Sequence, residues 1–207
     1  MKRENMFIVV EGGEGAGKSI AVQLLADYLQ SKGYDVIRTR EPGGCKGAED
    51  IRSVIMNHEW SKLAEMHLFA AARLQHCEEL IKPALDAGKI VISDRYTPSN
   101  VVYQGIVGGC GIDTVIDANK HAVQPDLVIY FDVDPEVGLA RIAANQEREV
   151  TRFDKMALDV HHQLREAYKS LEELHIFNDF KVLDANGTIE ETQSSLRDIV
   201  MHALGGE

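Results

Sequence analysis

Residues 12–19 read Gly12-Gly13-Glu14-Gly15-Ala16-Gly17-Lys18-Ser19, the spacing G-x-x-x-x-G-K-[ST] that cradles nucleotide phosphates. Glycines let successive backbone N–H groups turn toward phosphate oxygens, and a helix that starts where the loop ends presents its positive pole to the same charge. Lys18 is expected to reach the β- and γ-phosphates. The Ser19 hydroxyl is expected to join Mg2+, an ion that takes few protein oxygens and more from phosphate and water. A second cluster, Asp94-Arg95-Tyr96, directly follows the apolar run Ile90-Val91-Ile92-Ser93. At the carboxyl end of a strand, Asp94 suits the metal and the planar fork of Arg95 suits a phosphate.

These residues need a strand before the loop, a helix after it and a second strand ending beside it. Runs rich in Val and Ile at Met6–Val10, Val36–Thr39, Lys89–Ser93, Leu127–Val133 and Lys181–Leu183 alternate with segments of helical spacing, the pattern of a parallel sheet covered by helices. Ala21, Leu24, Leu25, Tyr28 and Leu29 make one apolar helix face that Gly33 can end. A longer helix is predicted from Leu63 to Ile81, disturbed by Pro83. The polar stretch from Ala143 to Lys155, with Arg148 and Arg152, reads as an exposed flap.

The chain has 207 residues and 44% hydrophobic content, enough for one buried core and short for two full domains. One domain over residues 1–207 is expected, with the flap at about 143–155 as its lid. A formal charge of -11, from 33 acidic and 22 basic residues, argues against broad binding to nucleic acid or anionic membrane. No apolar run approaches the roughly 20 residues of a membrane helix, and Met6–Val10 is too short for a signal core. A cytoplasmic protein is expected. Cys45, Cys77 and Cys110 show no Cys-x-x-Cys spacing and read as reduced thiols.

Several separate motifs resemble the thymidylate kinase family over nearly the whole chain. They are Glu11 to Ser19, Thr39-Arg40-Glu41-Pro42-Gly43-Gly44, Ile51-Arg52, Phe69-Ala70-Ala71-Ala72-Arg73, Asp94 to Gly105, Gln124-Pro125-Asp126-Leu127, and Arg148-Glu149-Val150-Thr151-Arg152-Phe153-Asp154. The resemblance implies a P-loop nucleoside monophosphate kinase fold with a five-stranded parallel sheet in the order 2-3-1-4-5. It implies ATP with Mg2+ as donor, dTMP as acceptor, dTDP for dTTP synthesis as product, and commonly a homodimer. Phe69 and Arg73, at i and i+4 on one helical face, match residues that stack on thymine and donate to it. Ser99, Asn100 and Gln104 match polar contacts to the base, and Tyr103 a ring that crowds the sugar 2′ position. Arg52 and Arg95 match residues that hold the acceptor phosphate, Glu14 a carboxylate near the acceptor, and Glu41 a further acceptor contact. Glu14 stands where other members carry a basic residue, so the catalytic arginine is expected from the lid, as Arg148 or Arg152, beside Lys18 and Arg95.

Two positions depart from the family pattern. Ile20 replaces a second Ser or Thr after the loop, and Gly105–Asp113 lacks an Arg, so acceptors other than dTMP stay open. The alternatives are a deoxynucleoside kinase, in which Glu11, Glu14 or Glu41 would deprotonate a sugar hydroxyl, and a nucleotide-binding regulator without transfer activity.

Overall fold

The computed structural model describes residues 5–145 and 151–205. All seven residues of β1 (Met6–Gly12) are buried, as in a strand covered on both faces. Met6, Ile8 and Val10 enter one core with α1 (Lys18–Ser31) and α9 (Ile189–Ala203). Phe7 and Val9 enter the opposite core with α8 (Leu158–Leu174), because side chains alternate across a sheet. β1 pairs in parallel with β3 (Ile90–Asp94) and β4 (Leu127–Asp132). β2 (Val36–Arg40) lies outside β3, and β5 (Phe180–Asp184) outside β4. The sheet order is β2-β3-β1-β4-β5, as the resemblance implies, and each strand lies within two residues of its apolar run.

The register Val10↔Asp94 and the bond from Arg95 N to Val10 O (3.0 Å) set the loop after β3 beside the phosphate loop after β1. The phosphate loop also meets α7 (Pro135–Ala144) backbone to backbone: a Cβ on Gly15 would lie 2.0 Å from Gly138 O. No other residue fits at Gly15, where φ is +73°. α1 ends as expected, with Gly33 at φ +86° and Tyr34 N bonded to Leu29 O.

The helix predicted to Ile81 is more complex. After α2 (Lys46–Asn57), α3 (Lys62–His76) runs into a wider π-type turn at Cys77–Ile81, and α4 (Lys82–Asp86) continues past Pro83. Proline has no N–H and collides with the carbonyl four residues back. In the wider turn Lys82 N reaches Cys77 O, so the axis passes the proline instead of stopping. A second wide turn, Val101–Val107, joins α5 (Thr97–Asn100) to α6 (Ile112–Ala118). Among the described residues no helix is long and apolar enough to cross a membrane.

Glu11 fastens this edge of the sheet from inside. It is fully buried, and its carboxylate accepts from Tyr96 N (2.8 Å), Ser99 N (3.1 Å), Ser99 Oγ (2.6 Å) and Tyr168 OH (2.9 Å). Burial raises its pKa, against the pull of Arg95 and of these donors. Glu11→Ala leaves four donors in a dry site without their acceptor, which should lower stability by about 3 kcal/mol or more; urea unfolding checks this, and an unchanged midpoint contradicts it.

Candidate active site

One cleft of about 710 Å³ runs from the phosphate loop to Phe69, Arg73, Asn100 and Gln104. At its donor end Gly12 to Ser19 form the expected loop between β1 and α1, with Lys18 as the first residue of the helix. The Lys18 ammonium donates to Gly12 O (3.0 Å) and Gly13 O (2.7 Å) of its own loop. Burial, with Arg95 adding to it, lowers its pKa to about 8. Ser19 Oγ donates to Asp94 Oδ2 at 2.5 Å. Two hard oxygens side by side against the phosphate loop fit the small protein share of Mg2+ coordination.

Arg95 has φ +71°, a strained conformation for a long side chain. It carries the guanidinium back over the loop, where it donates to Glu14 Oε1 (2.7 Å), Ser99 Oγ (3.1 Å) and Tyr168 OH (3.2 Å). Glu14 also accepts from Tyr103 OH (3.1 Å), and Arg95 lies over the Tyr103 ring. The phosphate loop, β3 and the second wide turn therefore meet at one charged group.

At the other end Arg73 is 2% exposed. A buried guanidinium is costly unless its donors are met. Arg73 Nε donates to Glu41 Oε2 (2.8 Å), and Nη1 to Asn119 Oδ1 (2.7 Å) and Asn100 Oδ1 (3.3 Å). Glu41 Oε1 lies 3.0 Å from His76 Nδ1, and His76 Nε2 lies 2.7 Å from Thr39 Oγ1. Asn100 Nδ2 donates to Gln104 Oε1 (3.0 Å), and Gln104 Nε2 to Glu65 Oε1 (2.9 Å). Arg52 borders the cleft and donates to Pro42 O at 2.9 Å. Phe69 lines the same wall, its ring 6.5 Å from Phe153 of the lid segment.

Of the stretch 143–155 that the sequence expects as a lid, residues 146–150, Arg148 among them, lie outside the described residues. Arg152 turns its Nη2 to Glu65 Oε2 and its guanidinium face to Phe153, 4.6 Å from the ring centre, and its Nε is buried without a partner. It is drawn to helix α3 and is not among the side chains that border the cleft.

The family model for thymidylate kinase matches residues 10–196. A thymidylate kinase of Geobacillus sp. (strain WCH70) is 42% identical over 97% of this chain and 98% of its own length. Those of Clostridium novyi and Anoxybacillus flavithermus are 43% and 46% identical, over 89% and 80% of this chain.

The chain belongs to the thymidylate kinase family.

Beside the residues taken from the family motifs, the structure brings Glu65, His76, Asn119 and Tyr168 into the networks. Glu65 had a signal, since it stands four residues before Phe69 on one helical face. Asn119 and Tyr168 had none: they lie at the end of α6 and in α8, outside every motif of the family.

Lys18 gives the pH dependence its sign. The sequence expects its charged form to hold phosphate, and in the free protein that form is lost as pH rises through about 8. kcat/KM for ATP, which reports the free protein, should be level below that pH and fall above it. Bound phosphates raise the lysine pKa, so the limb in kcat should lie at higher pH. A level kcat/KM profile on the alkaline side contradicts this.

Proposed function

We propose that this protein transfers the γ-phosphoryl group of ATP to the phosphate of dTMP, giving dTDP and ADP. One observation carries the reading: the three carboxylates that could act as a base toward a sugar hydroxyl are all engaged. Glu11 accepts from four donors, Glu14 from Arg95 and Tyr103, and Glu41 from Arg73 and lies against His76. A monophosphate acceptor needs no base, because its second pKa is about 6 and the attacking oxygen is already ionised. Deoxynucleoside phosphorylation would require one.

Catalysis then consists of aligning two polyanions and stabilising the transferring group. In this reading Lys18 and the loop N–H groups hold the donor phosphates. Ser19 and Asp94 would hold Mg2+, which would supply positive charge to the donor phosphates when bound. Arg95 and Arg52 take the acceptor phosphate, with Arg95 leaving Glu14 as it does so. Phe69 stacks on the base, Arg73, Asn100, Ser99 and Gln104 form its polar border, and Tyr103 crowds the 2′ position. Arg152 or Arg148 completes the charge when the lid, residues 143–155, closes and excludes water. The reading treats residues 1–207 as one kinase domain. It adds a homodimer, for which Val54, Trp60 and Leu63, exposed on and between α2 and α3, are the apolar surface.

ADP release should be rapid with dTMP, slower with the 2′-hydroxyl analogue, and at background with thymidine; faster turnover of thymidine would reverse the assignment. Arg152→Ala should lower kcat by about 10²–10³-fold with both KM values little changed. Equal losses in kcat and affinity would sink the lid role. Lys18→Ala should remove most activity.

A further inference from the structure

We infer that Glu65 is a positioning residue for the reaction: a single carboxylate that aims Arg152 and fixes the amide of Gln104. This rests on the reading of Arg152 as a lid arginine that acts on the transferring phosphoryl group.

Glu65 lies in the first turn of α3, four residues before Phe69 and eight before Arg73, and so on the face that borders the acceptor end of the cleft. Its two oxygens have different partners. Oε1 accepts from Gln104 Nε2 at 2.9 Å, and Oε2 from Arg152 Nη2. Gln104 Oε1 accepts from Asn100 Nδ2, and Asn100 Oδ1 from Arg73 Nη1. One line of hydrogen bonds thus joins the lid to the buried arginine of the acceptor pocket, and Glu65 is the link between the two.

An amide can present either its oxygen or its nitrogen to the cleft. With Nε2 held by the carboxylate of Glu65 and Oε1 receiving Asn100, the Gln104 amide has one orientation. A guanidinium on a long side chain stabilises a transition state only when it is aimed beforehand. Among the described residues Glu65 is the one ionic partner of Arg152, and Phe153 covers the face of the same guanidinium. The contact leaves Nε buried and without a hydrogen-bond partner. An acceptor base that shifts Gln104 also shifts Glu65, and through it the arginine.

A double-mutant cycle tests the inference. Glu65→Gln keeps an oxygen for Gln104 and removes the charge that Arg152 meets. Alone it should lower kcat about tenfold, with the KM values for dTMP and ATP within about twofold of wild type. In the Arg152→Ala background it should cost nothing further in kcat. Losses that multiply, or a loss seated in the KM for dTMP, overturn the role of Glu65 while leaving the lid arginine intact. Full turnover in Arg152→Ala alone removes instead the reading on which the inference rests. The same cycle with Glu65→Asp, which keeps the charge on an arm one methylene shorter, gives a second measure where E65Q folds poorly. There the loss of kcat should again vanish without Arg152.

Discussion

A cleft that gathers phosphate groups must hold positive charge where water is scarce, and must do so before the phosphates arrive. In a chain of net charge -11 this is solved locally, by lending each cation a partner. Arg95 has Glu14, Arg73 has Glu41, Arg152 has Glu65, Arg40 has Glu49, and Lys18 has the carbonyls of its own loop. The pairs differ in depth, and the depth separates their roles. Arg73 and Glu41 are each almost wholly buried and hydrogen-bonded to further side chains, and removal of one partner of such a pair costs about 3–5 kcal/mol. They are fixed parts of the wall. Arg152 is about one-third exposed in its pair, where an ion pair contributes only about 0–1 kcal/mol, which leaves it freer to adjust than Arg73.

The scaffold makes these loans exact in position. The strands carry no chemistry along their length; their carboxyl ends do. Parallel pairing in the register Val10↔Asp94 sets the two charged loops together, and Glu11, sunk between them, holds Tyr96, Ser99 and Tyr168 to the end of β1. The left-handed turn at Arg95 follows from this. Its backbone N–H goes to Val10 O while its side chain returns over the loop to Glu14. Strain at one residue is tolerable where the hydrogen bonds around it over-determine its conformation.

Much of this was legible in the residues. A phosphate loop announces itself because its glycines answer to backbone geometry that no other residue supplies, and the strands because β1, β3 and β4 are buried on both faces and are apolar up to their carboxyl ends. The sheet order came from the family resemblance, since no pattern of apolar runs states which strands are neighbours. The wide turns at Cys77–Ile81 and Val101–Val107 were not legible. One extra residue per turn leaves no compositional mark, and Pro83 reads equally well as a helix end. Asn119 and Tyr168 were hidden for another reason: each is defined by what it meets in space, Arg73 and Glu11, from sequence positions 46 and 157 residues away.

The engagement of Glu11 and Glu14 also bears on how water is kept from the donor. An unengaged Glu or Asp beside the γ-phosphate could activate water as readily as an acceptor hydroxyl. Here Glu11 is out of reach, fully buried behind Ser99, and Glu14 is held by Arg95 and Tyr103; on the proposed reading Arg95 would leave it only for the acceptor phosphate, which fills the space a water would need. On that reading the charge that assists transfer and the carboxylate that could misdirect it are tied in one ion pair, which the acceptor phosphate would part.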